Sequence, residues 1–174
     1  RYFRVDARGR TLIAMDAPPD KEDSRPFIHV ATLLRDAGLN APQVLEADLA
    51  TGAGQAATVE RIQSTSDPID LVVNNAGFGT SGVFHELDVD RLAGEVELNV
   101  KALTVLSHAA LATMVPRGRG YLLNVSSVAS FQASPGLGVY AATKAYVTSL
   151  TEALHTEVKS SGVHVTALCP GATA

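Results

Sequence analysis

From residue 69 onward the chain alternates between two kinds of pattern. "IDLVV" (69–73), "YLLNV" (121–125) and "VHVTALC" (163–169) are short, apolar and rich in β-branched residues, and turn-prone residues follow each one. Such runs read as strands. Between them lie longer stretches with apolar residues at helical spacing. One covers residues 89–115, with Leu92, Val96, Val100, Leu103, Leu106 and Leu111 on it and Asp88 placed to cap its start. The other covers residues 140–159, with Ala141, Ala145, Leu150, Leu154 and Val158. Strands alternating with helices predict parallel pairing through right-handed crossovers, with helices covering both faces of the sheet. The fold class expected is α/β: a partial doubly wound, Rossmann-like parallel sheet.

The first part of the chain follows a different plan. "YFRVDARGRTLIAM" reads as two strands around the turn "DARGR", an antiparallel β-hairpin. A polar, Pro-containing connection, "APPDKEDSRP", leads to a helix, "FIHVATLLRDAG", which Gly38 can end. "PQVLEA" is a short strand, and "TGAGQAATVERIQS" leads into another helix.

Composition narrows the function. Of 174 residues, 46% are hydrophobic and 18% charged, which suits a globular chain able to bury a core. A net charge of −4, with no stripe of Lys or Arg, argues against nucleic acid. The lone Cys169 excludes an internal disulfide and fits a reducing, cytoplasmic setting. No secretory leader is visible. The most apolar helical stretch carries Asn99, Lys101, Ser107 and His108, where a membrane span needs about 20 mostly apolar residues. Both ends look cut, so a fragment is expected.

The candidate chemistry centres on "VYAATKAY". Tyr140 and Lys144 are four apart and share a helix face. Ser126 and Ser127 end the second strand, "NNAG" ends the first, and Asn99 lies on the helix between them. In an open α/β sheet, ligands bind outside the carboxyl ends of the strands, and these residues lie at or near that edge. The five histidines show no metal-ligand spacing, no G-x-S-x-G nucleophile elbow occurs, and Cys169 reads as a small buried strand residue.

Residues 47–174 resemble the short-chain dehydrogenase/reductase family. The matching stretches are "ADLA" (47–50), "NNAG" (74–77), Asn99 in "ELNV", "NVSSVAS" (124–130), "YAATK" (140–144) and "CPG" (169–171), in the family's order and with family-like spacings. The resemblance implies hydride transfer between a nicotinamide cofactor, NAD(P), and a small carbonyl compound or secondary alcohol. By the same resemblance Tyr140 is the acid/base, and Lys144, one turn on, favours its anion and holds the nicotinamide ribose. Ser127 steadies the substrate oxygen, its spacing to Tyr140 favouring it over Ser126. Asn99 holds a water of the proton relay. Asp48 lies near the adenine, the backbone of Asn74, Ala76 and Gly77 near the adenosine, and Pro170 and Gly171 beside the nicotinamide. A homo-oligomer through the helices near 99–115 and 140–159 is also implied.

One family feature has no counterpart. A dinucleotide needs a glycine turn whose backbone cradles the pyrophosphate, T-G-x-x-x-G-x-G in this family, and residues 1–50 contain none. "TGAGQAA" (51–57) fits G-x-G-x-x-A, but its position matches the start of the helix before the "NNAG" strand. Residues 1–49 are instead similar to the N-terminal lobe of aminoglycoside-phosphotransferase-like kinases, in the sugar and amino-sugar branch. No H-x-D catalytic loop accompanies them, so the phosphotransfer machinery is absent. The expectation is a chimera joined near "EADLA", with a kinase-like segment at 1–49 and a truncated reductase half at 50–174. Cofactor binding would then be impaired. The alternatives are a non-catalytic α/β remnant and, third, a phosphotransferase fragment.

Overall fold

A computed structural model describes residues 2–7, 10–15 and 48–171. The chain divides into two compact units, Arg1–Glu46 and Ala47–Ala174. In the first, β1 (Tyr2–Ala7) pairs antiparallel with β2 (Arg10–Met15), Tyr2 opposite Met15 and Ala7 opposite Arg10. The expected hairpin is present, and its strands run into the "DARGR" segment, leaving only residues 8 and 9 between them. The helix expected to end at Gly38 and the strand "PQVLEA" lie outside the described residues. β1 and β2 form a two-stranded sheet.

The second unit opens with α1 (Gly52–Gln63), whose N-cap Thr51 accepts a hydrogen bond from the Gly54 amide. Then come β3 (Leu71–Asn74), α2 (Val89–Val96), a π-helical segment (Glu97–Ala102) and α3 (Leu103–Arg117). Asp88 caps α2 through the Asp90 amide, as the sequence predicts. The periodic stretch is therefore one rod, Val89–Arg117, with a π turn inside it. That rod is long and apolar enough to cross a membrane by length and composition, but Leu92, Ala102, Leu106, Ala110 and Met114 on it are buried in the protein. Gly118, at φ 67°, ends the rod in the left-handed region that suits glycine. β4 (Gly120–Val125), α4 (Gly138–Glu157) and β5 (Val163–Leu168) follow.

The three strands pair in parallel in the order β3-β4-β5, with Asn74 level with Asn124 and Val125 level with Leu168. Parallel α/β architecture is thus as expected. The coverage differs. Val72, Leu122, Val163 and Val165 point into one core with Ile62, Leu106, Ala109, Ala110, Met114 and Val158 from the helices. The alternate residues, among them Val73, Tyr121, His164 and Leu168, lie on the opposite face and are exposed. Among the described residues, helices cover one face of this sheet, not both.

The core carries a polar seam. Asn74 donates to Asn124 Oδ1 (2.9 Å) and to Ser107 Oγ (3.0 Å), and Asn124 donates to Thr151 Oγ1 (3.0 Å). All four residues are buried. The seam ties β3, β4, α3 and α4 together and satisfies amides that would otherwise be costly to bury.

Candidate active site

α4 begins with Tyr140 in its first turn, and one turn later Lys144 follows. Tyr140 is half-buried, whereas Lys144 is 6% exposed. The ammonium lies 5.7 Å from the centre of the Tyr140 ring and donates to the carbonyl of Val125 at 2.8 Å. That carbonyl is at the carboxyl end of β4, so the contact fixes the helix against the strand end. Burial depresses the Lys144 pKa below its ordinary value, because little water remains to solvate the charge. Among the described residues no carboxylate pairs with Lys144.

Ser126 and Ser127 are adjacent but have different tasks. Ser126 Oγ is 1% exposed, donates to the Lys144 carbonyl (2.8 Å) and shares a hydrogen bond with Thr148 Oγ1 (2.7 Å). It is spent on packing β4 against α4. Ser127 caps the short 3₁₀ turn Val128–Phe131 by accepting from the Ala129 amide (3.2 Å). Accepting that bond leaves its own O–H free to donate.

Asn99 sits in the π segment, 1% exposed. Its side chain grips the backbone of Phe78 from both sides, accepting from the Phe78 amide (3.1 Å) and donating to the Phe78 carbonyl (2.8 Å). It also donates to Thr143 Oγ1 (3.1 Å), which in turn donates to the Tyr140 carbonyl (2.8 Å). Phe78, Asn99, Thr143 and Tyr140 thus form one hydrogen-bonded chain from the loop after β3 to the first turn of α4. Sequence reasoning nominates Asn99 but misses Thr143; its place inside "YAATK" was the available signal.

Gly77 and Gly79 explain why that loop is glycine-rich. A Cβ on Gly77 would stand 2.8 Å from Asn99 Oδ1 and 3.6 Å from Lys144 Nζ. A Cβ on Gly79 would stand 2.9 Å from the Tyr140 ring. The missing methyl groups let the backbone close on the site. Sequence reasoning does not single out Gly79.

The remaining nominated residues are spread along the strand ends. The Asn74 side chain turns inward to the polar seam, leaving only its backbone toward the sheet edge. Ala76 is exposed on the loop above it. Pro170 accepts from the Val128 amide (3.0 Å), which brings the "CPG" turn beside Ser127, and Gly171 follows it, exposed. Asp48 is exposed, and its carboxylate and carbonyl accept from Ala50 and Thr51 at the entry to α1. The Thr51–Gly54 turn serves that helix: a Cβ on Gly54 would stand 2.0 Å from the Asp48 carbonyl oxygen. Close packing accounts for this glycine without a phosphate.

A tyrosine and a buried lysine on one turn, a serine O–H at the next strand end, and an asparagine clamping the loop between them match a known arrangement. A family model described as short chain dehydrogenase matches residues 21–174. The chain belongs to the short chain dehydrogenase family. Oxidoreductase UcpA of Escherichia coli (strain K12) is 34% identical over 164 residues, 94% of this chain and 60% of that protein. A short-chain dehydrogenase from Sphingobium yanoikuyae, solved in complex with NADPH, superposes with a TM-score of 0.77 at 35% identity, covering 87% of this chain and 59% of that one. A bulky-bulky ketone specific alcohol dehydrogenase from Comamonas testosteroni gives 0.75 at 32%, over 86% and 59%. The chain therefore spans about 60% of the length of these relatives.

These likenesses correct the reading of residues 1–49. The family model begins at residue 21, and UcpA aligns with 94% of the chain. Residues 21–49 therefore belong to the dehydrogenase match, and neither a kinase-lobe origin nor a junction at 45–50 is supported.

Proposed function

We propose that the protein is an NAD(P)-dependent oxidoreductase that interconverts a small carbonyl compound and a secondary alcohol. The observation that carries this is Lys144: a buried cation, beside Tyr140, with one hydrogen bond to Val125 and three donors to satisfy. A ribose diol would take the remaining Lys144 donors. The Sphingobium yanoikuyae neighbour solved with NADPH supports the same cofactor class.

When bound, the nicotinamide supplies or accepts the hydride. The chain's own groups handle the oxygen and its proton. In reduction Tyr140 gives its phenolic proton to the carbonyl oxygen as charge builds there, and in oxidation its phenolate takes that proton back. Ser127 donates its free O–H to the same oxygen. Lys144 stands beside the Tyr140 ring, 5.7 Å from its centre. Asn99 and Thr143 hold the loop and the first turn of α4 together, and Pro170 and Gly171 would help to hold the nicotinamide.

The 174 residues contain no T-G-x-x-x-G-x-G turn, and the Thr51–Gly54 turn is committed to α1. A homo-oligomer through α3 and α4 is part of the proposal, since Val115 and Tyr146 lie exposed on those helices.

The deciding experiment pairs a fluorescence titration of NADPH and NADH with turnover of a ketone panel by the unaltered chain and by Tyr140→Phe. Tyr140→Phe is expected to lower kcat by about 10²–10⁴ with cofactor affinity retained. Equal turnover by the two proteins would overturn the assignment. A folded chain that binds neither cofactor would favour the non-catalytic reading.

A further inference from the structure

Two loops flank Tyr140, and neither carries a charge. No charged residue or histidine lies between Asp70 and His85, or between Arg119 and Lys144. The first interval holds Gly79, which abuts the Tyr140 ring. The second holds Ser127 and the turn Val128–Phe131, which packs on α4. The loops meet where the Gly82 amide donates to the Gly136 carbonyl (2.9 Å), four residues before Tyr140. The large apolar side chains exposed on these two loops are Val83 (54%), Phe84 (69%), Val128 (51%), Phe131 (68%) and Leu137 (36%), with Ser81 and Gln132 exposed among them.

Resting on the oxidoreductase reading above, the geometry points to an uncharged, apolar ketone or secondary alcohol as the substrate of this site. A keto acid or phosphorylated sugar needs a cation near the reacting carbonyl to replace its hydration. Among the described residues the cation beside the Tyr140 ring is Lys144, which is buried and donates to the β4 carboxyl end, while Arg91 lies over the Phe78 ring. A sugar or polyol needs several polar anchors, whereas the larger exposed side chains of these loops are mostly phenyl and branched aliphatic groups. Large apolar side chains left in water next to a reacting group gain by covering an apolar substituent. A surface for another protein would be an alternative use of such residues, but they lie on the two loops that enclose Tyr140 and Ser127, and that continuity favours the substrate.

The test compares a matched pair, 2-octanone and 2-oxooctanoate, with NADPH as reductant. It uses the unaltered chain, Tyr140→Phe, Phe84→Asp and Phe131→Asp. The ketone is expected to be preferred in kcat/KM by at least about tenfold, the scale on which apolar pockets discriminate. Phe131→Asp and Phe84→Asp are expected to lower kcat/KM for the ketone by a similar factor, mainly through KM. NADPH affinity and melting temperature should be unchanged, since both side chains are mostly in water. Equal or better use of the keto acid, or ketone kinetics indifferent to both aspartates, overturns the substrate class while Tyr140-dependent turnover leaves the oxidoreductase reading standing. A changed sedimentation coefficient with unchanged ketone kinetics also overturns it and makes the patch an interface. Absence of Tyr140-dependent turnover of either compound defeats the oxidoreductase reading itself, and this inference with it.

Discussion

Lys144 shows at the scale of one side chain how this site departs from what is best for stability. Its ammonium is 6% exposed and has one described acceptor, the Val125 carbonyl. The unfolded chain keeps that proton up to about the ordinary value of 10.5, whereas burial makes the folded protein release it at lower pH. Between the two values the unfolded state binds more protons, so stability rises with pH there. The cost of the charge is thus complete below the folded pKa and vanishes as pH climbs toward 10.5. Lys144→Met, similar in length and without charge, is expected to melt at or above the temperature of the unaltered chain at pH 7, with the difference closing at alkaline pH. Thermal melts from pH 6 to 11 check this, and a lower melting temperature for Lys144→Met at pH 7 would contradict it. At this scale Tyr140 and Lys144 were legible because a helix makes a four-residue spacing meaningful. Gly79 was not legible, since its need to be glycine comes from a ring 61 positions away in the chain.

Among the elements, the rod Val89–Arg117 is the most informative. Its apolar spacing and its Asp88 cap were readable in the sequence. The π turn Glu97–Ala102 was not, because one extra residue in a turn shifts the helix face without disturbing the local count of apolar positions. π turns inside α-helices often mark functional positions, and here the segment brings Asn99 to the backbone of Phe78. Asn99→Ala leaves an amide and a carbonyl of Phe78 without their partner, at about 1–3 kcal/mol for each group that water fails to reach. The expected result is faster hydrogen exchange at Phe78 and lower kcat, with the melting transition still cooperative. Unchanged exchange at Phe78 would show that Asn99 is not what holds the loop. The strands were legible as apolar runs, but the coverage of their faces was not. A buried strand and a strand with one open face can both read as "YLLNV".

On the scale of the whole unit, the open sheet face and the exposed helix rods compete as sites of association. Val73, Tyr121 and Leu168 lie exposed on the uncovered face, and among the described residues β3 is an edge strand. Contiguous apolar surface and a free edge both favour association. Sedimentation velocity at micromolar concentration is expected to show a species larger than a monomer. If α3 and α4 form the interface, Tyr146→Lys dissociates it and Val73→Lys does not; the reverse result assigns the contact to the sheet. A clean monomer would refute the oligomer. The order of elements told the sequence reader which residues meet at one sheet end, while the family of residues 21–49 required a likeness spread along the whole chain. The polar seam has a consequence of its own. Asn74 and Asn124 are level across β3 and β4, and their side chains are joined. A slip of one residue would strand an amide in the core, so the pair acts as an index mark that sets the height at which the two loops after β3 and β4 emerge. Matched apolar replacements would erase the mark while adding contacts, and buried polar groups are often replaced without loss of stability. A library selected only for heat resistance is therefore expected to lose asparagine at 74 and 124, and sequencing its survivors will show whether endurance and alignment are separable in this sheet.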